Sequence, residues 1–205
     1  MKIQTIVAAA LTIAAMMNVA HAEESGFYLR GALGQAHTTL DTSNTVHATY
    51  ITGQEVDKLG FEIGGGYRFN QYVGVELSYV DFGKPHYNLT RGATGETSVM
   101  YVKNNGVVAA VRGFYPASEN FTVTARVGAI FVHTSLDRQS DSPDDAYTGK
   151  DNQIHSTLGI GGMYKLTDKL NLTADFNWYP KITKTNDNAT DTNARMISVG
   201  LQYNF

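Results

Sequence analysis

The chain is 205 residues long, with a formal charge of −3, 42% hydrophobic residues and no cysteine. That length suits one domain, and so mild a charge argues against nucleic-acid binding. The absence of cysteine rules out a disulfide framework, a Cys-based metal site and a thiol nucleophile.

The predicted elements begin with a leader. Lys2 supplies a positive charge, Ile3 to Val19 is mostly apolar, and Ala20-His21-Ala22 is an Ala-x-Ala cleavage site followed by Glu23-Glu24. This pattern reads as a cleaved signal peptide over residues 1–22, leaving residues 23–205 as one mature domain. Beyond the leader no apolar run reaches the ~18 residues that a membrane helix needs.

Eight segments of period-two alternation follow. Segment one, Phe27–Ala36, sets Phe27, Leu29 and Leu33 against Arg30, Ala32 and Gly34. Segment two, Leu59–Phe69, sets Leu59, Phe61, Ile63, Tyr67 and Phe69 against Gly60, Glu62, Gly64, Gly66 and Arg68. Segment three, Tyr72–Val80, sets Val73, Val75, Leu77 and Tyr79 against Gly74, Glu76 and Ser78. Segment four, ending at Tyr115, has the weakest alternation, with Val107, Ala109 and Val111 opposite Val108, Ala110 and Arg112. Segment five is the clearest: Phe121, Val123, Ala125, Val127, Ala129 and Phe131 alternate with Thr122, Thr124, Arg126, Gly128 and Ile130. Segment six places Leu158, Ile160, Tyr164 and Leu166 opposite His155, Thr157, Gly159, Gly161 and Lys165. Segment seven places Leu170, Leu172, Ala174, Phe176 and Trp178 opposite Asn171, Thr173, Asp175 and Asn177. Segment eight ends the chain, with Ile197, Val199, Leu201, Tyr203 and Phe205 on its apolar phase. Strict alternation of this kind gives each strand one greasy and one polar face.

All the charges inside the segments share the non-apolar phase: Arg30, Glu62, Arg68, Glu76, Arg112, Arg126, Lys165 and Asp175. That phase is also rich in Gly, Ser and Thr, which suits a crowded, narrow interior. The apolar phase carries aromatics near the strand ends, as a membrane interface favours. Phe27, Phe69, Tyr72, Tyr115, Phe121, Tyr164 and Phe205 form one expected belt; Tyr79, Phe131 and Trp178 contribute to the other. Connections alternate in length. Asn70-Gln71, Pro116–Asn120 and Thr167–Lys169 are tight turns, whereas 37–58, 81–100, 133–152 and 180–193 read as long polar connections. Short turns at one end and long loops at the other, on strands of ~9–11 residues, predict an all-β, eight-stranded antiparallel up-and-down transmembrane β-barrel. Closure is required, because an open sheet edge in lipid leaves backbone groups unpaired. The expected location is the outer membrane of a Gram-negative bacterium, with the short turns and both termini in the periplasm.

Four stretches carry a family resemblance: Val75–Gly83, Arg126–Ala129, Leu158–Leu166 and Val199–Phe205. Through them the chain resembles the OmpA-like family of eight-stranded outer-membrane barrels, over the whole mature length. The resemblance implies the transmembrane domain alone, without the peptidoglycan-binding domain of full-length OmpA. It also implies recognition of the C-terminal strand, including Tyr203 and Phe205, by the barrel assembly machinery. Some small relatives are adhesins or colonisation factors, which makes adhesion or envelope interaction through four surface loops the leading expectation. A small gated pore is the alternative, and a lipid A-modifying enzyme is a third reading.

The enzyme reading would rest on His155-Ser156-Thr157 with Asp175 as orienter. Residues of opposite parity point to opposite faces, so Ser156 does not meet His155, and no catalytic residue is assigned. Asp41, Asp137, Asp141, Asp144, Asp145 and Asp151 lack EF-hand spacing, and His37, His47, His86 and His133 are scattered, so neither a metal nor a cofactor is expected. Asn88-Leu89-Thr90 and Asn188-Ala189-Thr190 match a glycosylation pattern that is uninformative in a bacterium.

The remaining candidate site is the lumen. Glu76, Arg126 and Asp175 lie at similar depth, with Glu62 somewhat higher; Arg30, Arg68, Arg112 and Lys165 count as cations nearer the periplasmic end. Isolated charges in a narrow interior are costly, so Arg126 is expected to pair across the barrel with Glu62, Glu76 or Asp175. Expected partners outside the chain are outer-membrane lipid and lipopolysaccharide, the assembly machinery, and a host or matrix ligand at the loops. No nucleic acid is expected.

Overall fold

The computed structural model describes residues 25–40, 49–91, 97–140, 147–183 and 192–205. The predicted leader lies outside them. The strands are β1 (Gly26–Leu40), β2 (Thr49–Glu55), β3 (Asp57–Arg68), β4 (Val73–Asp81), β5 (His86–Arg91), β6 (Thr97–Pro116), β7 (Phe121–Ser140), β8 (Tyr147–Lys165), β9 (Leu170–Thr183) and β10 (Thr192–Asn204). Eight of them close on themselves, antiparallel throughout, in the order β1–β3–β4–β6–β7–β8–β9–β10 and back to β1. β2 and β5 are continuations of β3 and β4 that pair with each other, β5 also joining the far end of β6. The eight predicted segments therefore correspond to the eight staves of the closed barrel.

The tight turns are held by their own side chains. Asn70 Oδ1 accepts from the amides of Tyr72 (2.8 Å) and Val73 (3.0 Å). Ser118 Oγ accepts from Phe121 N–H, and Thr167 Oγ1 from Lys169 and Leu170 N–H. Short polar side chains of this type bond the backbone a few residues on and so fix a reversal of direction.

The two phases separate as the charge pattern requires. No residue of the apolar phase is buried, and both aromatic belts, from Phe27 at 67% exposure to Trp178 at 44%, lie on the outer wall. Arg30, Glu62, Glu76, Arg112, Arg126 and Asp175 are all buried in the lumen. A soluble barrel would show the reverse, so the solvent for the outer wall is lipid.

One expectation needs correction. The described parts of the segments read as long polar connections are mostly strand: β6, β7 and β8 run for 20, 20 and 19 residues, well past the apolar band. Above the membrane both faces of a strand meet water, so the alternation that marks a strand in lipid fades while the ladder continues. The lumen is not uniformly polar, in line with the apolar residues on its phase of segments four and five. Val80, Val108, Ile130, Val132 and Met196 are buried on its phase. Segment four alternates weakly because Val108 and Ala110 pack inward as apolar residues.

The break between β4 and β5 shapes the upper lumen. Asp81 Oδ1 accepts from Gly83 N–H at 2.8 Å, and Gly83 takes the left-handed φ of 78° that only glycine adopts freely. This turn drives Phe82 into the interior, edge-on to Tyr179 at 4.9 Å.

Ile160, outward-facing midway along the apolar stretch of β8, gives a test of the lipid face. Ile160→Arg should cost about 2–4 kcal/mol, against about 0–1 kcal/mol for Gln35→Arg at the edge of the band. Urea titrations in lipid vesicles read both, and equal costs would contradict the placement of the band.

Candidate functional site

The lumenal charges form a closed ring in which cations and anions alternate. Arg30 bonds Asp175 at 2.6 Å and lies 3.4 Å from Glu62. Arg126 bonds Glu62 at 2.5 Å and Glu76 at 3.0 Å. Arg112 bonds Glu76 at 2.8 Å and Asp175 at 3.0 Å, which returns the ring to Arg30. Each arginine joins two carboxylates, each carboxylate joins two arginines, and six strands contribute one residue apiece. Formal charge cancels within the ring, as burial demands.

A second set of groups completes the carboxylate shells. Ser78 Oγ donates to Glu62 at 2.7 Å and Tyr28 OH donates to Glu76 at 3.1 Å. Arg126 donates to Tyr179 OH at 2.7 Å, and Arg112 to Thr124 Oγ1 at 3.3 Å. Of the two remaining barrel strands, β8 supplies space instead of charge. A Cβ at Gly159 would press on Asn177 and Arg126, and one at Gly161 on Asp175. Glycine on β8 thus gives the ring room.

Apolar layers close the ring from both sides. Toward the short turns, Tyr28, Phe114 and Met163 pack together. Toward the long strands, Val80, Phe82, Val108, Ile130, Val132, Tyr179 and Met196 fill the barrel. At the short-turn mouth a polar vestibule of about 480 Å³, lined by Gln71, Asn120, Thr122, Asn171 and Asn204, runs inward to Tyr28 and Met163.

The cations expected near the periplasmic end divide. Arg112 is the register partner of Arg126 and stands at its level. Arg30 starts lower, but its long side chain reaches up to Asp175 and Glu62. Strands tilt in a barrel, so counting residues from a turn misjudges depth. Arg68 and Lys165 remain at the mouth. Arg68 donates to the carbonyls of Asn70 and Gln71 and covers the Phe114 ring at 4.5 Å; Lys165 pairs with Asp168 at 2.8 Å. Arg126 meets Glu62 and Glu76, whereas Asp175 is held by Arg30 and Arg112. Tyr28 and Tyr179 were absent from the sequence-derived set, although both sit on the charged phase of their strands.

His155, Ser156, Thr157 and Asp175 do not converge. Ser156 is exposed, Thr157 Oγ1 donates to Trp178 O at 3.2 Å, His155 shares a hydrogen bond with Gln153 at 2.9 Å, and Asp175 belongs to the ring. Asp41, Asp141, Asp144, Asp145, His47 and Asn188–Thr190 lie outside the described residues. Among the described residues no group of acidic and histidine side chains is arranged to hold a metal. His37 is 2.7 Å from Asp57, and His133 2.7 Å from Asn152.

Arg126→Ala would leave Glu62 and Glu76 short of a buried partner. The expected loss is about 3–5 kcal/mol, against about 0.5 kcal/mol or less for Lys165→Ala at the mouth. Urea midpoints in detergent, read by the heat-dependent gel shift of the folded barrel, separate the two; equal losses would mean the ring is water-filled.

Comparison with known proteins agrees with this geometry. A family model described as outer membrane protein beta-barrel domain matches residues 6–205. Outer membrane protein A of Salmonella typhi is 27% identical over 207 residues, covering 98% of this chain and 55% of that protein, so the chain spans about half the length of such relatives. Among solved structures, OprG of Pseudomonas aeruginosa superposes with a TM-score of 0.60 at 13% identity, over 88% of this chain and 96% of that one. Ail of Yersinia pestis, solved with the heparin analogue sucrose octasulfate, gives 0.51 at 14% identity, over 88% and 99%. With nearly its whole length matched and a closed, lipid-facing barrel of eight strands, the chain belongs to the outer membrane protein beta-barrel domain family and resides in the outer membrane of a Gram-negative bacterium.

Proposed function

We propose that this protein is a non-enzymatic outer-membrane anchor that presents its long strands and four loops to a host, matrix or envelope ligand. The observation that carries the reading is the sealed lumen: a neutral six-membered ring of buried ion pairs between two apolar layers. Such an interior invests its side chains in filling the barrel, and the parts left to meet a partner are those above the membrane. The scatter of His155, Ser156 and Asp175 supports the non-enzymatic part. The leader is cleaved after Ala22, so the mature chain begins at Glu23, and an intact mass tests this.

A small gated pore is the second reading. What favours it is a set of buried polar atoms on β9 and β10 that no protein group bonds: Thr173 Oγ1, the Asn177 amide and Ser198 Oγ. Planar-bilayer recordings on wild type and Arg126→Ala decide between the two. The anchor predicts negligible wild-type conductance, while large, steady conductance would overturn it. Cells expressing the protein should bind a matrix or glycan surface, heparin included, and lose binding when 133–152 and 180–193 are shortened.

Tyr203 and Phe205 serve as the assembly signal in this reading. Phe205 N–H donates to Phe27 O at 3.1 Å, and its ring stands edge-on to Tyr203 at 5.3 Å on the lipid face. Phe205→Ala should slow barrel insertion in cells while leaving the refolded barrel heat-modifiable. Normal insertion would reduce Phe205 to a belt residue.

A further inference from the structure

The vestibule at the short-turn mouth has a wall chemistry that neither the ring nor the surface loops use. Four carboxamides line it, Gln71, Asn120, Asn171 and Asn204, and Met163 and Tyr28 form its inner end. Its volume of about 480 Å³ falls within the range of small-molecule sites. Behind the inner end Tyr28, Phe114 and Met163 pack together, so the vestibule is a blind pocket that opens at the periplasmic end of the barrel.

Two buried carboxamides at this end lack partners. Asn171 is 6% exposed, and its side chain makes no hydrogen bond among the described residues. Its cross-strand neighbour Gln202 is fully buried; Nε2 donates to Asn204 Oδ1 at 2.9 Å, while Oε1 accepts from no protein group. A side chain that only hydrates a mouth is exposed, as Asn120 is. Buried polar atoms without partners cost free energy, so these two call for a guest that bonds them.

Three features narrow the guest. The vestibule carries Arg68 and Lys165 against Glu119 and Asp168, so its formal charge cancels and it favours an uncharged molecule. Each carboxamide sets an NH2 donor beside an acceptor oxygen, which matches two adjacent hydroxyls that each donate and accept. The floor is apolar, made of the Met163 side chain and the Tyr28 ring, whose hydroxyl is committed to Glu76. A neutral solute with hydroxyls around its edge and C–H groups on its face is a pyranose sugar.

We propose that the vestibule is a binding site for a neutral mono- or disaccharide of the periplasm. Asn171 bonds the hydroxyls of the innermost ring, and Met163 and Tyr28 lie under its apolar face. The outer carboxamides, Gln71, Asn120 and Asn204, meet the hydroxyls nearer the opening. A short peptide fits less well, because its charged ends gain nothing from a wall of balanced charge. The inference goes beyond the surface-contact function and does not depend on it, since the site lies at the opposite end of the barrel from the loops.

The probe is maltose, titrated into isotope-labelled protein in lipid discs free of glycoside detergent. The side-chain amide signals of Asn171, Asn204 and Gln71 and the methyl signal of Met163 should shift along one saturable curve, half-complete at about 10 mM or below. Sorbitol, which has the hydroxyls of a sugar without its ring, and trialanine should each bind about ten-fold more weakly. Asn171→Ala should weaken maltose binding by about the same factor while the barrel stays heat-modifiable. Thr122→Trp, which fills the vestibule beside Met163, should abolish it. No saturable shift, shifts confined to other residues, or unchanged affinity in both variants would overturn the proposal. An equal response to sorbitol would overturn it in favour of simple hydration, and tighter binding of trialanine in favour of a peptide site.

Discussion

An eight-stranded barrel has an interior just wide enough for side chains, and everything in this structure answers to that limit. Charge enters such a space only in neutral, mutually paired sets. The ring of Arg30, Glu62, Arg126, Glu76, Arg112 and Asp175 meets the condition by closing on itself, so no member ends a chain. Arg112 and Arg126 are direct cross-strand neighbours, an arrangement that repels by itself. Glu76 lies between them and bonds both, so the repulsion is resolved inside the ring.

The neighbouring residue choices follow from the ring. Tyr28 and Tyr179 each turn a hydroxyl toward it and an apolar ring away from it, so one side chain serves two layers. Phe82 reaches Tyr179 only because Gly83 lets the backbone turn between β4 and β5. The glycines of β8 are part of the same account: side chains at Gly159 and Gly161 would occupy the volume that Arg126, Asn177 and Asp175 fill.

The architecture was legible from the phase on which charges fall, because lipid tolerates none on the outer wall and eight segments obeyed that rule. Depth was much less legible. Strand tilt shifts levels between neighbouring staves, and a long guanidinium adds reach, so Arg30 and Arg112 look peripheral by counting yet belong to the ring. Val108 and Ile130 were legible on the lumen phase by parity alone, since an apolar residue facing in and one facing lipid have the same composition; Met163 shares the parity of Thr157 and Gly161 but was not singled out. The strand extensions were illegible because water on both sides of a ladder removes the alternation.

Lipid and water place different demands on the same strands. Within lipid every backbone group must be paired, which forces closure and leaves no edge. Above it, water satisfies free amides, and the ladder is allowed to part. β8 spans both regimes. Below Leu158 it is paired on both sides; above Thr157 it is laddered to β7 on one side. The transition comes where Trp178 marks the outer belt and Pro180 follows it on β9, so the last aromatic of the membrane and the first obstacle to pairing are two residues apart. A proline two positions lower would break a ladder rung in lipid. At position 180 it lies just past the last β8–β9 pair, so the barrel is shut where closure is compulsory and the wall parts only where water can satisfy the freed backbone groups.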